Sequence, residues 1–152
     1  MGSSSRGPTL RSHRTLDATS PRSAARPSHP ISRIVRDTAT AQRIKVLYGY
    51  HCQACGVRLE TAAGPYAEAA HIRPLGAPHD GPDSADNILC LCPNHHVLFD
   101  HGGLVIKEDL SLKGEEGRLT VHPQHRIDPE HLRYRREHYA RAASEPTSQR
   151  GL

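Results

Sequence analysis

Residues 87–103 read NILCLCPNHHVLFDHGG, and residues 50–56 read YHCQACG. After Asn87-Ile88-Leu89, the segment CPNHHVLFDHGG fits a short helix, with Pro93 in its first turn and Gly102-Gly103 ending it. Cys52 and Cys55 form a C-x-x-C, and Cys90 and Cys92 stand just before the pair His95-His96. Cys and His clustered in this way, behind a polar start without an apolar export signal, read as zinc ligands sooner than as disulfides. A thioredoxin-like redox pair fits poorly, because no strand precedes Cys52 and no βαβ unit surrounds it. Successive helical residues point about 100° apart. His95 can therefore turn toward the cysteines while His96 faces elsewhere. Cys52, Cys55, Cys92 and His95 then make a closed Cys3His structural zinc site that fastens the helix to the knuckle. Cys90 is left as a spare thiol buried beside Leu89 and Leu91. A site using both Cys90 and Cys92 is the alternative.

Outward from this stretch, the apolar positions between Ile31 and Tyr48 recur at helical intervals, with an interruption near Thr38–Thr40. VRLE (57–60) and YAEAAHI (66–72) look like two strands of a hairpin around Gly64-Pro65. Residues 73–86 contain Pro74, Gly76, Pro78, Gly81 and Pro82, which exclude regular structure there. LVIK (104–107) and RLTV (118–121) are candidate strands around a turn-rich KGEEG. Asp128-Pro129-Glu130 opens a last helix, with Leu132 and Tyr139 on its buried side and Arg133, Arg136 and Arg141 on its surface.

One further constellation carries chemistry. Metal-assisted hydrolysis of a phosphodiester needs a base that works near neutral pH, which an imidazole supplies. It also needs a divalent cation to offset charge on the phosphate and the leaving oxygen. His71, on the second hairpin strand, suits the base. His96 and Asp100, four apart on a helix, share a face and can hold one cation. The Asn87 amide can tie the long 73–86 loop back to the strand. Arg73, just after the base strand, can touch a neighbouring phosphate. His51, His79, His101, His122 and His125 read as ordinary structural or surface histidines.

The order C-x-x-C, then A-H-I, then N-I-L-C-L-C-P-N-H-H-V-L-F-D resembles the HNH endonucleases, whose core is a ββα-metal finger. The resemblance covers roughly Ile34 to Tyr139 and is specific over 50–103. It implies His71 as general base, Asn87 as orienter, His96 as ligand of the catalytic metal, and Asp100 as a further ligand. The phrases HCQACG, GPYAEAAHIRPLG and NILCLCPNHHVLFD are similar to the nuclease part of restriction enzymes that carry an SRA-type modified-cytosine reader. Many HNH enzymes place Asp or His just before the base as another ligand. Here that position is Ala70, which cannot coordinate and implies a high metal requirement. Glu68, three residues before His71 on a strand, should point away from His71 and is a weak substitute.

The expectation is thus an α+β protein: a small ββα-metal core with a zinc knuckle and flanking helices, over residues 31–143. An arm at 1–30 and a tail at 144–152 are expected to be disordered. The chain has 152 residues, 36% hydrophobic, with one Phe and no Trp, so one small core is expected to have help from a metal or a partner. Residues 1–40 carry seven Arg against Asp17 and Asp37, so the excess of positive charge behind the formal +4 lies there and the rest of the chain is slightly acidic. That arm reads equally as a solubilising tail or as a polyanion-binding segment. No run of about 20 apolar residues exists, which excludes a spanning helix, and a cytoplasmic location is the default. The expected activity is DNA phosphodiester hydrolysis with Zn2+ as structural ion and Mg2+, Mn2+ or Ni2+ as catalytic ion, and the family resemblance implies 5′-phosphate and 3′-hydroxyl ends. The expected role is restriction or defence, on DNA; the resemblance to the SRA-linked enzymes adds modified DNA as a candidate substrate, and the sequence itself gives no modification preference. No base reader is visible, so recognition is expected from a missing or separate domain. Two other readings are a non-catalytic zinc module that binds nucleic acid and a stand-alone toxin-like nuclease.

Overall fold

A computed structural model of the chain describes residues 38–144. The expected arm at 1–30, the helical pattern over 31–37 and the tail from 145 onward lie outside these residues. Three helices and six short strands follow one another: α1 (Ala39–Leu47), β1 (Leu59–Thr61), β2 (Gly64–Tyr66), β3 (Glu68–His71), β4 (Ile88–Leu91), α2 (Pro93–Asp100), β5 (Val105–Ile106), β6 (Leu112–Lys113) and α3 (Pro129–Ser144). The strands pair as three antiparallel ribbons, β1–β2, β3–β4 and β5–β6. No helix among the described residues is long and apolar enough to cross a membrane.

The hairpin expected from 57–60 and 66–72 forms only in part, as a short ribbon of Leu59–Thr61 with Gly64–Tyr66. Strand 66–72 is broken at Ala67: its first residue closes the tight β1–β2 ribbon, and its remainder pairs with β4. Glu68 lies opposite Leu91 and His71 opposite Ile88. The residues Ile88–Leu91 are therefore a strand, buried at every position. Continuous burial explains why no alternation marked them as one. Leu89 and Leu91 point into one apolar cluster with Ala70, Phe99, Leu104 and Leu132. Ile88 and Cys90 point into another, with Ile44, Tyr48 and Ala67. Cys90 is thus buried on the face opposite to Leu89 and Leu91, not beside them. Helix α1, capped by Thr38 Oγ1 accepting from the Ala41 amide, covers that second face. The small side chains Ala67, Ala69 and Ala70 leave room for helices on both sides of β3.

The segment 118–121 is not a strand paired with 104–107. Ile106 pairs instead with Leu112, and Ser111 makes a single bridge to Arg118. The backbone of Thr120 is engaged elsewhere: its amide donates to the Gln53 carbonyl, and its carbonyl accepts from Gln53 Nε2. Gln53, buried inside the C-x-x-C, also joins β4 by exchanging bonds with both backbone groups of Cys90. One side chain thereby stitches knuckle, central strand and C-terminal loop together.

Candidate active site and metal cluster

The Cys52 carbonyl accepts from the Gly56 amide, a tight turn that brings the C-x-x-C thiols to one side, and Gly56 takes a positive φ of 76° that favours glycine. Cys92 is the N-cap of α2, with Pro93 following, and His95 stands in the first turn. One ligand atom from each of Cys52, Cys55, Cys92 and His95 falls within 4.8 Å of all the others. His95 Nδ1 is 3.1 Å from Cys92 Sγ. Three sulfurs and an imidazole nitrogen at this spacing suit a tetrahedral ion with metal–sulfur distances of about 2.3 Å. Burial pushes the Cys92 thiol up to about 11 and also raises that of Cys55, so without a cation these groups stay protonated. Cys90 takes no part in the cluster, and burial raises its thiol to about 12. The far nitrogen of His95, Nε2, lies 2.6 Å from Glu115 Oε2, within ion-pair range but off the line of a hydrogen bond. A carboxylate behind a ligating imidazole is the usual means of orienting it.

His96, the next residue, faces the other way. Its Nδ1 is 2.5 Å from Glu68 Oε2 and its Nε2 is 3.2 Å from Asp100 Oδ2. Burial works against a charged His96, but Asp100 and Glu68 outweigh it and its pKa is raised. Burial likewise works against the Asp100 carboxylate, yet His96 and Arg135 hold it below its ordinary range. Two donors each about 2.1 Å from one cation, at near-octahedral angles, lie about 3 Å apart. The Nε2–Oδ2 separation fits that requirement, with Glu68 placed behind the imidazole as Glu115 is behind His95.

Glu68 is the residue whose part sequence reading underrated. Its side chain points away from that of His71, three residues on, and shares a face with Ala70, two residues on. Ala70 itself is fully buried in the core.

His71 ends β3, partly exposed, and its Nε2 donates to Asp83 Oδ1 at 2.9 Å. An ionised carboxylate only accepts, so this bond leaves Nδ1 as the ring's acceptor. Asp83 sits in the Pro- and Gly-rich loop, where no periodicity singled it out. Asn87 is fully buried. Its Oδ1 accepts from the Arg73 amide at 2.8 Å, and its Nδ2 donates to the carbonyls of Arg73 at 2.9 Å and Pro82 at 2.8 Å. The loop closes tightly on the same carbonyl: a Cβ at Gly81 would stand 2.1 Å from Arg73 O. Arg73 Nε donates to His79 O at 2.6 Å, and its guanidinium lies 4.3 Å above the Tyr134 ring.

Helix α3 closes the site from behind. Leu132 is buried, Arg133 pairs with Glu130 at the surface, and Arg136 reaches back to the Ile106 carbonyl at 3.1 Å instead of lying free on the surface. Arg135 is buried, a residue that sequence reading passed over although it lies three residues from Leu132 and four from Tyr139, on the apolar stripe. With Asp100, His79, Tyr134, His138 and Tyr139 it lines a cleft of about 380 Å3. Of the remaining histidines, His125 bridges Tyr48 Oη and the Ala85 carbonyl at 2.7 Å each, a structural role.

This arrangement has relatives. The HNH endonuclease family profile matches residues 52–107, which include β3, β4, α2 and the cysteine cluster. Over these residues the chain is similar to the HNH endonuclease family. Among solved structures it is similar to the "Modification dependent TagI restriction endonuclease", at 46% identity and a TM-score of 0.65. The match covers 70% of this chain and 39% of that one, so the chain spans about two-fifths of that enzyme's length. No curated protein matches significantly.

Proposed function

We propose that this chain is a metal-dependent endonuclease that hydrolyses DNA phosphodiester bonds in the cytoplasm, in restriction or defence. The observation that supports it most is the divergence of His95 and His96: one imidazole turned into a cysteine cluster, the next set 3.2 Å from a carboxylate on the same helix face. Cys52, Cys55, Cys92 and His95 hold a structural Zn2+ that anchors α2 to the knuckle. His96 and Asp100 hold the catalytic ion, with Glu68 orienting the imidazole. A divalent cation bound there, Mg2+, Mn2+ or Ni2+, supplies charge compensation for the phosphate and the leaving 3′ oxygen.

The chain's own groups do the rest. His71, neutral and with Nε2–H bound by Asp83, accepts at Nδ1 the proton of the attacking water. Asn87 fixes both backbone groups of Arg73 and so the direction in which the chain leaves the base strand. Arg73 contacts a neighbouring phosphate, a positioning interaction that reads no bases. Preference for modified DNA, by analogy with the solved restriction enzyme, would come from a separate recognition domain. A non-catalytic zinc module remains the second reading, favoured by the buried Ala70 where a ligand often stands.

Nicking of supercoiled plasmid, methylated and unmethylated, separates these readings. Wild type is expected to cut with at least one of Mg2+, Mn2+ and Ni2+, and His71→Ala to lose about 10²-fold or more of the rate. Absence of cutting with every metal would leave the zinc-module reading, and equal cutting by His71→Ala would overturn His71 as the base.

A further inference from the structure

Helix α2 ends at Asp100, and a helix end is an awkward place for a carboxylate. The last carbonyls have no partner within the helix, and their dipoles disfavour negative charge. Arg135 and Tyr139, one turn apart on α3, answer both problems. Arg135 Nη2 donates to the Phe99 carbonyl and lies 3.4 Å from Asp100 Oδ1, while Tyr139 Oη donates to the Asp100 carbonyl. The same Nη2 is 3.2 Å from Tyr139 Oη. The other amino group, Nη1, donates to the carbonyls of Ile72 at 2.8 Å and His71 at 3.3 Å. The guanidinium carbon stands 3.7 Å from the centre of the Phe99 ring. Room for the phenol is made by Gly102, where a Cβ would stand 2.8 Å from Tyr139 Cδ1.

A buried guanidinium is poor evidence for stability alone, since an apolar side chain of similar volume often serves a core as well. What the apolar side chain would not do is hold two particular groups in register. One planar fork here binds the carbonyl of His71 on one side and the end of α2 on the other. The Asp100 carboxylate is left with Oδ1 toward Arg135 and Oδ2 toward His96.

We propose that Arg135 and Tyr139 are positioning residues for the reaction: they set the orientation of the Asp100 carboxylate toward the His96 side and tie it to the end of the His71 strand. This rests on the reading that His96 and Asp100 share a cation. Neither α3 residue touches substrate or metal. Both act through the geometry of the carboxylate and the strand end.

The test is Mn2+ binding by the zinc-loaded full chain, followed by electron paramagnetic resonance, with thermal unfolding measured alongside. Wild type, His96→Ala, Tyr139→Phe and Arg135→Lys are compared. His96→Ala is expected to lose the Mn2+ site. Tyr139→Phe and Arg135→Lys are expected to weaken Mn2+ binding about tenfold or more, the range for groups that orient metal ligands. Tyr139→Phe, which removes one hydroxyl, is expected to keep a melting temperature near that of wild type, and it decides alone if Arg135→Lys does not fold. A purely structural clamp would lower the melting temperature and leave Mn2+ affinity within twofold, which would overturn the proposal while the cation site stands. If His96→Ala binds Mn2+ as wild type does, the cation site itself is wrong and the proposal falls with it.

Discussion

His95 and His96 are neighbours in one helix and face different groups: Nδ1 of the first is 3.1 Å from Cys92 Sγ, and Nδ1 of the second is 2.5 Å from Glu68 Oε2. The turn of about 100° between helical residues is enough to separate them. A single short helix thereby joins a cysteine-lined anchor to a carboxylate-lined cleft, and α3 fixes its far end.

Zinc content distinguishes the ligands from the bystander. Cys55→Ser is expected to lose the bound zinc and much of the folded population, because a core this small depends on the cluster. Cys90→Ala, which alters a thiol buried against Ile44 and Tyr48, is expected to keep one zinc per chain. Metal analysis of the purified variants by mass spectrometry checks both. Equal zinc in the two would contradict the assignment.

Stability should depend on pH through His96 and Asp100. Its neighbouring carboxylates raise the His96 pKa in the fold above its ordinary 6.5, in spite of burial. Its contribution is therefore complete below about pH 6.5 and lost as pH rises through the higher folded value. Asp100, held below its ordinary 3.8 although burial opposes this, contributes above about pH 4 and loses that as pH falls through the depressed value. In buffer free of divalent ions, with zinc retained, urea unfolding should show wild type exceeding His96→Gln by more at pH 5.5 than at pH 8.5. Glu68→Gln should narrow the gap at pH 5.5. Added Mg2+ should favour the higher pH, since a cation binds only the neutral imidazole. A gap that widens toward pH 8.5 without Mg2+ would refute the ion-pair account.

Asn87→Ala is expected to destabilise the 73–86 loop more than any surface change. It removes the partners of the Arg73 amide, the Arg73 carbonyl and the Pro82 carbonyl, and each group left unsatisfied in the interior costs ~1–3 kcal/mol. Hydrogen exchange should report fast exchange at the Arg73 amide in the variant and slow exchange in wild type. Protection unchanged at Arg73 would show that the side chain does not hold the loop.

Much of this was legible in the sequence where chemistry depends on local spacing. C-x-x-C followed by C-P-N-H-H on a helix has few geometries open to it, so Cys52, Cys55, Cys92 and His95 could be read as one candidate group, with a set using both Cys90 and Cys92 as its rival. The strand Ile88–Leu91 was not legible, since burial on both faces erases the alternation that identifies strands. Nor were Asp83 and Glu115, polar residues in turns, where neither period nor motif distinguishes a partner from a solvated charge. Arg135 was not legible for a different reason: arginine is seldom buried without partners, and its partners here are carbonyls of distant segments that no local pattern shows.

Anomalous diffraction from crystals grown with Mn2+ tests the separation of the two sites most directly. Two peaks are expected, one inside the Cys52–Cys55–Cys92–His95 cluster with the absorption edge of zinc, the other between His96 Nε2 and Asp100 Oδ2 with that of manganese. A single peak ligated by both His95 and His96 together with the cysteines would contradict it.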